Sequence, residues 1–374
     1  MPNVFITPTV VANEFLTHLQ SALVMGNLVH RGFSKDFVKV GDTITVKGPA
    51  TFTAEPVQAG MSVQGINESS ISLKIDHRDG VLVAYTAEDA SLRINDFNEQ
   101  IVIPAVRAIA EKVDTNLMAL ARDIPYVREQ SATASLADLA LLAADLSTRQ
   151  CPMDDGLLNL VMDPMSYAKY MSIEAIASLA ARGNTDAVAR GQFKEAMGFN
   201  IGRSQQVATE GTLVGSLTNA STPTPVALGA VTMTVTDTDA TVGLLPHGYT
   251  FTIAGDTQVY TLTADATQTA TGCVIYFAPG IQIAISGAKA ITGETVVSSG
   301  KSQSLAFHKN AIALVTVPEA PSQACPSKVL FDKGLNVMLT YERDTTNHID
   351  TMLFEILYGV KVLNAKMAER FISD

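Results

Sequence analysis

Apolar residues recur at three- and four-residue steps through Ile94, Phe97, Ile101, Ala105, Ile109, Val113, Leu117 and Leu120, with polar and charged residues between them. That spacing puts one apolar stripe on an amphipathic helix, predicted over residues 95–122. Asp96 with Glu99 three positions later offers an N-terminal capping box. Pro104 lies inside the run, so a kink is expected there. At about 1.5 Å per residue such a helix is roughly 40 Å long. Ahead of it the period changes to two. DTITVK (42–47) and SISLKID (70–76) alternate as strands do. They are joined by a tip rich in Gly, Pro, Ala and Gln that carries Met61, Val63 and Ile66. A hairpin of this kind has no core of its own and needs a surface to lie on. The first 30 residues read as an extended entry and a helix beginning near Thr7 or Thr9 and ending near Leu23, an arm that docks on something else.

Beyond Pro125 helical and strand patterns alternate. SLADLALLAADLSTRQ (135–150) is amphipathic, LNLVM (158–162) is a buried-type strand, and DPMSYAKYM starts another helix. Gly183, Asn184 and Asp186 fall in an exposed tip, and residues 192–206 read as loop, strand and turn. From about 208 to 300 Thr, Ser, Gly, Ala and Val dominate, and Lys289 is the only Lys or Arg between Gly211 and Gly300. Strand candidates there are 231–236, 249–254, 258–264, 273–278 and 281–286. Gly255-Asp256-Thr257 and Pro279-Gly280 give turns. Short, evenly spaced strands predict a small β-barrel or sandwich, inserted because α/β character resumes after it. Two period-2 strands, 335–341 and 349–358, then form a long hairpin. The whole reads as an α+β chain: arm 1–37, extended β-hairpin 38–86, long helix 87–125, α/β domain 126–207, inserted β-barrel 208–303, and return strands with the C-terminus 304–374.

Candidate chemistry changes this picture little. There is no Gly-rich phosphate loop, no HExxH and no GxSxG. Asp237-Thr238-Asp239 lacks the remaining ligands of a calcium loop and reads as a solvated turn. Asp154-Asp155 reads as a polar loop ahead of a strand, and His308 as a hydrogen-bonded structural histidine. Cys151, Cys273 and Cys325 form no CxxC pair, so the expectation is reduced thiols with neither zinc nor disulfides. No catalytic, cofactor or metal site is expected, and none of the segments is apolar enough for a membrane span. The 26 Lys and Arg against 37 Asp and Glu give a net charge of −11, the wrong sign for a surface that grips nucleic acid. Trp is absent and aromatics are 6%, which disfavours base stacking.

The element order and three strings carry a resemblance. SLAFHKNAIALVTVPEAP (304–321), EILYGVKVLNAKMAERF (355–371) and FTIAGDTQVYTLTADAT (251–267) resemble, respectively, the core re-entry, the C-terminal signature and an insertion-domain hairpin of tailed-bacteriophage major capsid proteins, in the subgroup with an inserted β-barrel. The resemblance implies a structural, non-enzymatic subunit. It implies hexamers and pentamers of an icosahedral shell, assembled in the host bacterial cytoplasm with a scaffolding protein and a portal, and enclosing double-stranded DNA in the virion. It makes 95–122 the spine helix of a peripheral domain, 42–76 the loop that lies on a neighbour, and the Gly183–Asp186 tip part of an axial domain. Subunit contacts are then expected at Met61, Val63, Ile66, Gly183, Asn184, Asp186, Asp237 and Asp239, with the spine kink at Pro104. An encapsulin-like compartment shell and a phage tail or adhesin protein stand as alternatives.

Overall fold

In a computed structural model of the chain, the residues described are 8–32, 43–47, 70–86, 101–131, 133–173, 194–207, 217, 220–222, 225–237, 243–256, 258–269, 271–281, 283–293, 301–318, 327–332, 334–344 and 349–373. The helices are α1 (Pro8–Ala22), α2 (Met25–Leu28), α3 (Ile103–Ala119), α4 (Leu136–Thr148) and α5 (Pro164–Met171). The strands before the barrel are β1 (Thr43–Lys47), β2 (Ser70–Lys74), β3 (His77–Thr86), β4 (Val127–Glu129), β5 (Leu158–Met162), β6 (Glu195–Ala196) and β7 (Phe199–Arg203). Next come β8 (Ala220–Ser221), β9 (Thr232–Asp237), β10 (Gly243–Leu245), β11 (Thr250–Ile253), β12 (Val259–Leu262), β13 (Ala266–Gln268), β14 (Cys273–Ala278) and β15 (Ala290–Gly293). The last are β16 (Ser302–His308), β17 (Ile312–Thr316), β18 (Ser327–Asp332), β19 (Leu335–Asp344), β20 (Ile349–Val362) and β21 (Ala368–Ser373). The chain divides into two compact units.

The first unit holds Met1–Ala22, Arg31–Lys112 and Ala313–Leu363. Its frame is a five-stranded sheet in which β20 pairs antiparallel with β3, from Ile349↔Thr86 to Tyr358↔His77, and with β19, from Met338↔Glu355 to Asp344↔Ile349. The outer strand β18 pairs with β19. Gly80 is required in β3: a Cβ there would lie 2.7 Å from the Phe354 carbonyl oxygen. One face packs on α1, where Phe15 meets Phe354 at 5.1 Å between ring centres and Gln20 donates to Asp332 at 2.9 Å. The β1–β2 pair forms its own two-stranded sheet. It is anchored at its base, where Leu73 and Ile75 are buried with Ala313, Val315, Val317 and Leu357.

The second unit holds Leu23–His30, Val113–Ile312 and Asn364–Asp374. Its six-stranded mixed sheet runs β4-β21-β16-β5-β7-β6, with β4 parallel to β21 and β5 parallel to β7. β16 is buried along its whole length, as a central strand covered on both faces must be. Helices α4 and α5 cover one face through Leu139, Leu142, Leu146 and Tyr170 against Leu158, Leu160, Phe199 and Phe371. Local chemistry starts both helices. Ser135 and Asp138 form a reciprocal capping box for α4, and Asp163 accepts from the Met165 and Ser166 amides ahead of Pro164 in α5. Between β7 and β16 the chain builds a closed barrel, β11-β12-β14-β9-β8-β15, filled by Phe251, Tyr260, Phe277, Leu262, Ile275 and Ile291.

The described part of the long helix runs unbroken from a π-helical turn at Ile101–Val102 through α3 to a 3-10 turn, Leu120–Asp123. Pro104 lies in the first turn of α3, and the expected kink there involves residues 95–100, outside the described residues. One expectation needs adjusting: the described residues of 281–286 form no strand. Ile281 and Ile285 are buried in the barrel core, but Ile285 makes only an isolated bridge to Val226, and the closing strand is β15 instead.

Candidate functional site

Reactive groups come first, because they decide between a chemical site and a surface. Among the described residues no group of three or more His, Cys, Asp and Glu could hold a metal ion. A cleft between Arg78, Val317, Asn336 and Glu355 has about 10 Å³ of interior, room for one water, far below the roughly 300 Å³ of a small-molecule site. His308, buried in β16, bonds Asp155 through Nε2 at 2.7 Å and accepts from the Asn310 amide at Nδ1. The hydrogen bond from His308 holds the Asp155 carboxyl below its ordinary range. Asp155 is therefore not alone, as its sequence neighbours suggested; its partner comes from 153 residues away. Cys151 is the nearby thiol, but burial, and then the Asp155 charge, push it up to about 11, so it stays protonated and non-nucleophilic. His308 is thus hydrogen-bonded through both ring nitrogens, the hydrogen bonding that the sequence predicted.

A second charged group joins α4 to the C-terminal strand. Arg149, the residue that ends α4, donates to the Glu369 carboxylate at 2.6 Å and to the Lys366 carbonyl, and it stacks 4.2 Å above the Tyr126 ring. Burial nevertheless raises Glu369 to about 7, so desolvation outweighs the pull of Arg149. Asp114 of α3 is likewise buried and raised by desolvation. It ties down the 23–30 segment by accepting from the Val24 and Gly26 amides at 2.7 and 3.0 Å.

The surfaces are more informative. Cross-strand partners share a face, as do residues two apart. Leu82 opposes Leu353, Leu353 opposes Thr340, and Asn336 opposes Phe331. Leu82, Leu353, Val329, Met338 and Phe331 therefore lie on one face, opposite the face that packs on α1. Leu82 is 66% and Phe331 53% exposed. On the barrel, Val274 and Tyr276 point outward from β14 beside Thr234 and Thr232, each 52% exposed. The first surface went unrecognised in the sequence. Its signal is the unbroken apolar run Val81-Leu82-Val83-Ala84, which supplies both faces of β3 rather than one.

Of the contact residues expected from sequence, Met61, Val63, Ile66, Gly183, Asn184, Asp186 and Asp239 lie outside the described residues. Asp237 closes β9, its backbone paired opposite Ala220. Pro104 is exposed in the first turn of α3. No helix among the described residues is long and apolar enough to cross a membrane.

No protein-family model matches the chain, and no curated protein matches it in sequence. Solved structures do resemble it. A chain of a structure described as Mycobacterium phage Che8 is 15% identical with a TM-score of 0.52, over 93% of this chain and 90% of that one. A chain from the capsid structure of the cyanophage P-SCSP1u is 13% identical with a TM-score of 0.45, over 90% and 84%. A chain of a virus-like particle from Pyrococcus furiosus is 9% identical with a TM-score of 0.42, over 96% of each. The solved structures similar to this chain are nearly all named for phages and their capsids. The first likeness shows the fold: this chain is a mixed α+β protein, with a closed six-stranded barrel, sharing its fold with a chain of a Mycobacterium phage.

Proposed function

We propose that this chain is the major capsid protein of a tailed bacteriophage, a non-enzymatic subunit that assembles with copies of itself into an icosahedral shell. The observation that carries this reading is the fold shared almost end to end with the chain from Mycobacterium phage Che8. Fold alone does not give function, so the surfaces matter. Exposed Leu82 and Phe331 on the sheet face away from α1, and a hairpin with no third strand among the described residues, both suit a protein that meets neighbours. Each contact can be weak, because a closed shell makes many at once. A net charge of −11 suits an inner wall that encloses double-stranded DNA without adhering to it.

In this reading α3 belongs to the spine helix and β1–β2 to the loop that lies on a neighbour. The tip with Gly183, Asn184 and Asp186 meets its copies at hexamer and pentamer centres, Pro104 marks a bend, and Asp237 and Asp239 face a neighbour from the barrel. A scaffolding protein and a portal take part in assembly in the bacterial cytoplasm, and the product is the virion capsid. Negative-stain electron microscopy of the purified chain, expressed with and without its neighbouring genes, tests this. Shells, or rings of five and six subunits, are expected. A monomer that stays soluble at high concentration with the neighbouring proteins present would overturn it. Shells filled with a protein cargo and lacking a portal would move the reading to a compartment shell.

A further inference from the structure

One buried cation reaches out of the six-stranded sheet and into the barrel. Arg370, in β21, has the largest fully buried side chain among the described residues, with 0% exposure. Its backbone is fixed in the sheet between Leu305 of β16 and Val127 of β4, and its amide donates to the Tyr126 carbonyl at 2.8 Å. Its guanidinium contacts the barrel. Nη1 donates to the Gly248 carbonyl at 3.0 Å, and Nη2 reaches the Thr261 hydroxyl of β12 at 3.4 Å.

The barrel presents a turn shaped to receive it. Gly248 has φ of 93°, a backbone conformation that glycine takes without strain. A Cβ there would meet Arg122 Cβ at 3.2 Å and Arg370 Nη1 at 3.3 Å. The turn is braced inside the barrel by its own bonds: Gly248 to Leu262, Tyr249 to Pro246, and the His247 amide to Asp265. On its other side the His247 ring nitrogen lies 2.8 Å from the Asp123 carboxylate, close enough for ion pairing but off the hydrogen-bond line. The Pro246–Gly248 turn is thus gripped from two directions, by the 3-10 turn that follows α3 and by the C-terminal strand.

We infer that the Arg370–Gly248 contact is the clamp that orients the inserted barrel on its sheet, and that Arg370 acts as a positioning residue rather than a stabilising one. A buried guanidinium is costly to desolvate, so the relief of that cost in an apolar variant offsets most of what the lost bonds to Gly248 and Thr261 contribute. What the fork supplies is direction: two donors fixed in one plane admit one seat for the barrel, where an apolar contact admits several. The barrel needs no help from Arg370 to form, because all six of its strands lie between Ala220 and Gly293 and it has its own core. The inference rests on this geometry and not on the shell reading.

Pulsed electron-electron resonance tests it in the full chain. Spin labels go on exposed Val274 of the barrel and exposed Leu141 of α4, with the native cysteines replaced by serine and the labelled chain diluted in unlabelled chain. Arg370→Met should broaden and shift the distance distribution while moving the melting midpoint by no more than about 4 °C. Gly248→Ala, which leaves the guanidinium in place but puts a Cβ 3.3 Å from its Nη1 at a strained φ of 93°, should shift the distribution too, with a larger drop in melting midpoint. An unchanged distribution in Arg370→Met overturns the inference. If Arg370→Met does not fold, an unchanged distribution in Gly248→Ala overturns it instead.

Discussion

Glu369 makes the stability of this chain depend on pH in the direction opposite to an ordinary ion-paired carboxylate. The side chain is 2% exposed and is held near pKa 7 instead of its ordinary 4.5, because burial costs more than Arg149 returns. Asp145 adds to the upward push and Arg128 opposes it. The folded state therefore holds a proton that the unfolded state releases. The associated stability is fully present below pH 4.5 and is lost as pH rises through 7. A difference of 2.5 pH units at 1.36 kcal/mol each is about 3 kcal/mol in all, and about 2 kcal/mol of it falls between pH 5.5 and pH 8. The series stops short of the isoelectric point near 5.0, where the chain is least soluble. Urea unfolding followed by circular dichroism at four pH values in that window gives the midpoint and slope for wild type and for Glu369→Gln. The amide keeps an acceptor for Arg149 but does not titrate, so the variant should lose most of the downward trend. Wild-type and variant curves that run parallel across the window would refute the reasoning.

Other substitutions probe separate parts of the fold. Asp114→Ala removes the acceptor for the Val24 and Gly26 amides; it should cost about 2 kcal/mol in urea unfolding and raise hydrogen exchange at residues 23–28. Phe277→Ala opens the aromatic cluster with Phe251 and Tyr260; about 3–5 kcal/mol should be lost, read by calorimetry, with the sheet residues of the same unit still protected from exchange. Cys151, raised to about 11, should stay unreactive toward a thiol reagent at neutral pH and react at the ordinary rate once urea unfolds the chain.

Elements whose information is local were legible from sequence. Ser135 and Asp138 announce the start of α4, Asp163-Pro164 the start of α5, and LNLVM the buried strand β5. Most of the barrel is likewise written in short alternating strings. What local pattern could not supply is strand identity imposed from a distance. AERFIS places Glu369 and Arg370 side by side, yet it is β21, buried along its length between β16 and β4. Its two charged residues are tolerated because Arg149 reaches Glu369 from 220 positions away and Gly248 receives Arg370 from 122. The failure at residues 281–286 has the same origin. Ile281 and Ile285 carry the right period but fill the barrel core from a loop, while Ala290–Gly293, with only Ile291 pointing inward, closes the ring because β11 and β8 need a partner there.

The contact surfaces were the least legible part, and β3 shows why. An antiparallel sheet with one wet face should alternate apolar and polar residues. In β3 the run Val81-Leu82-Val83-Ala84 breaks that rule, and within one chain the break looks only like a stronger strand. The topology turns it into a statement about partners: Val81 and Val83 face the side that packs on α1, whereas Leu82 is left outside together with Phe331 of β18. Fully covering those two side chains would contribute about 1.5–3 kcal/mol each. That is too little to hold a lone pair of subunits against the entropy of association. In the proposed closed shell the same contribution would be ample, because each added contact is then made without paying that entropy again. On the capsid reading proposed above, an apolar run on both faces of β3 marks the sheet face that a neighbouring subunit would cover.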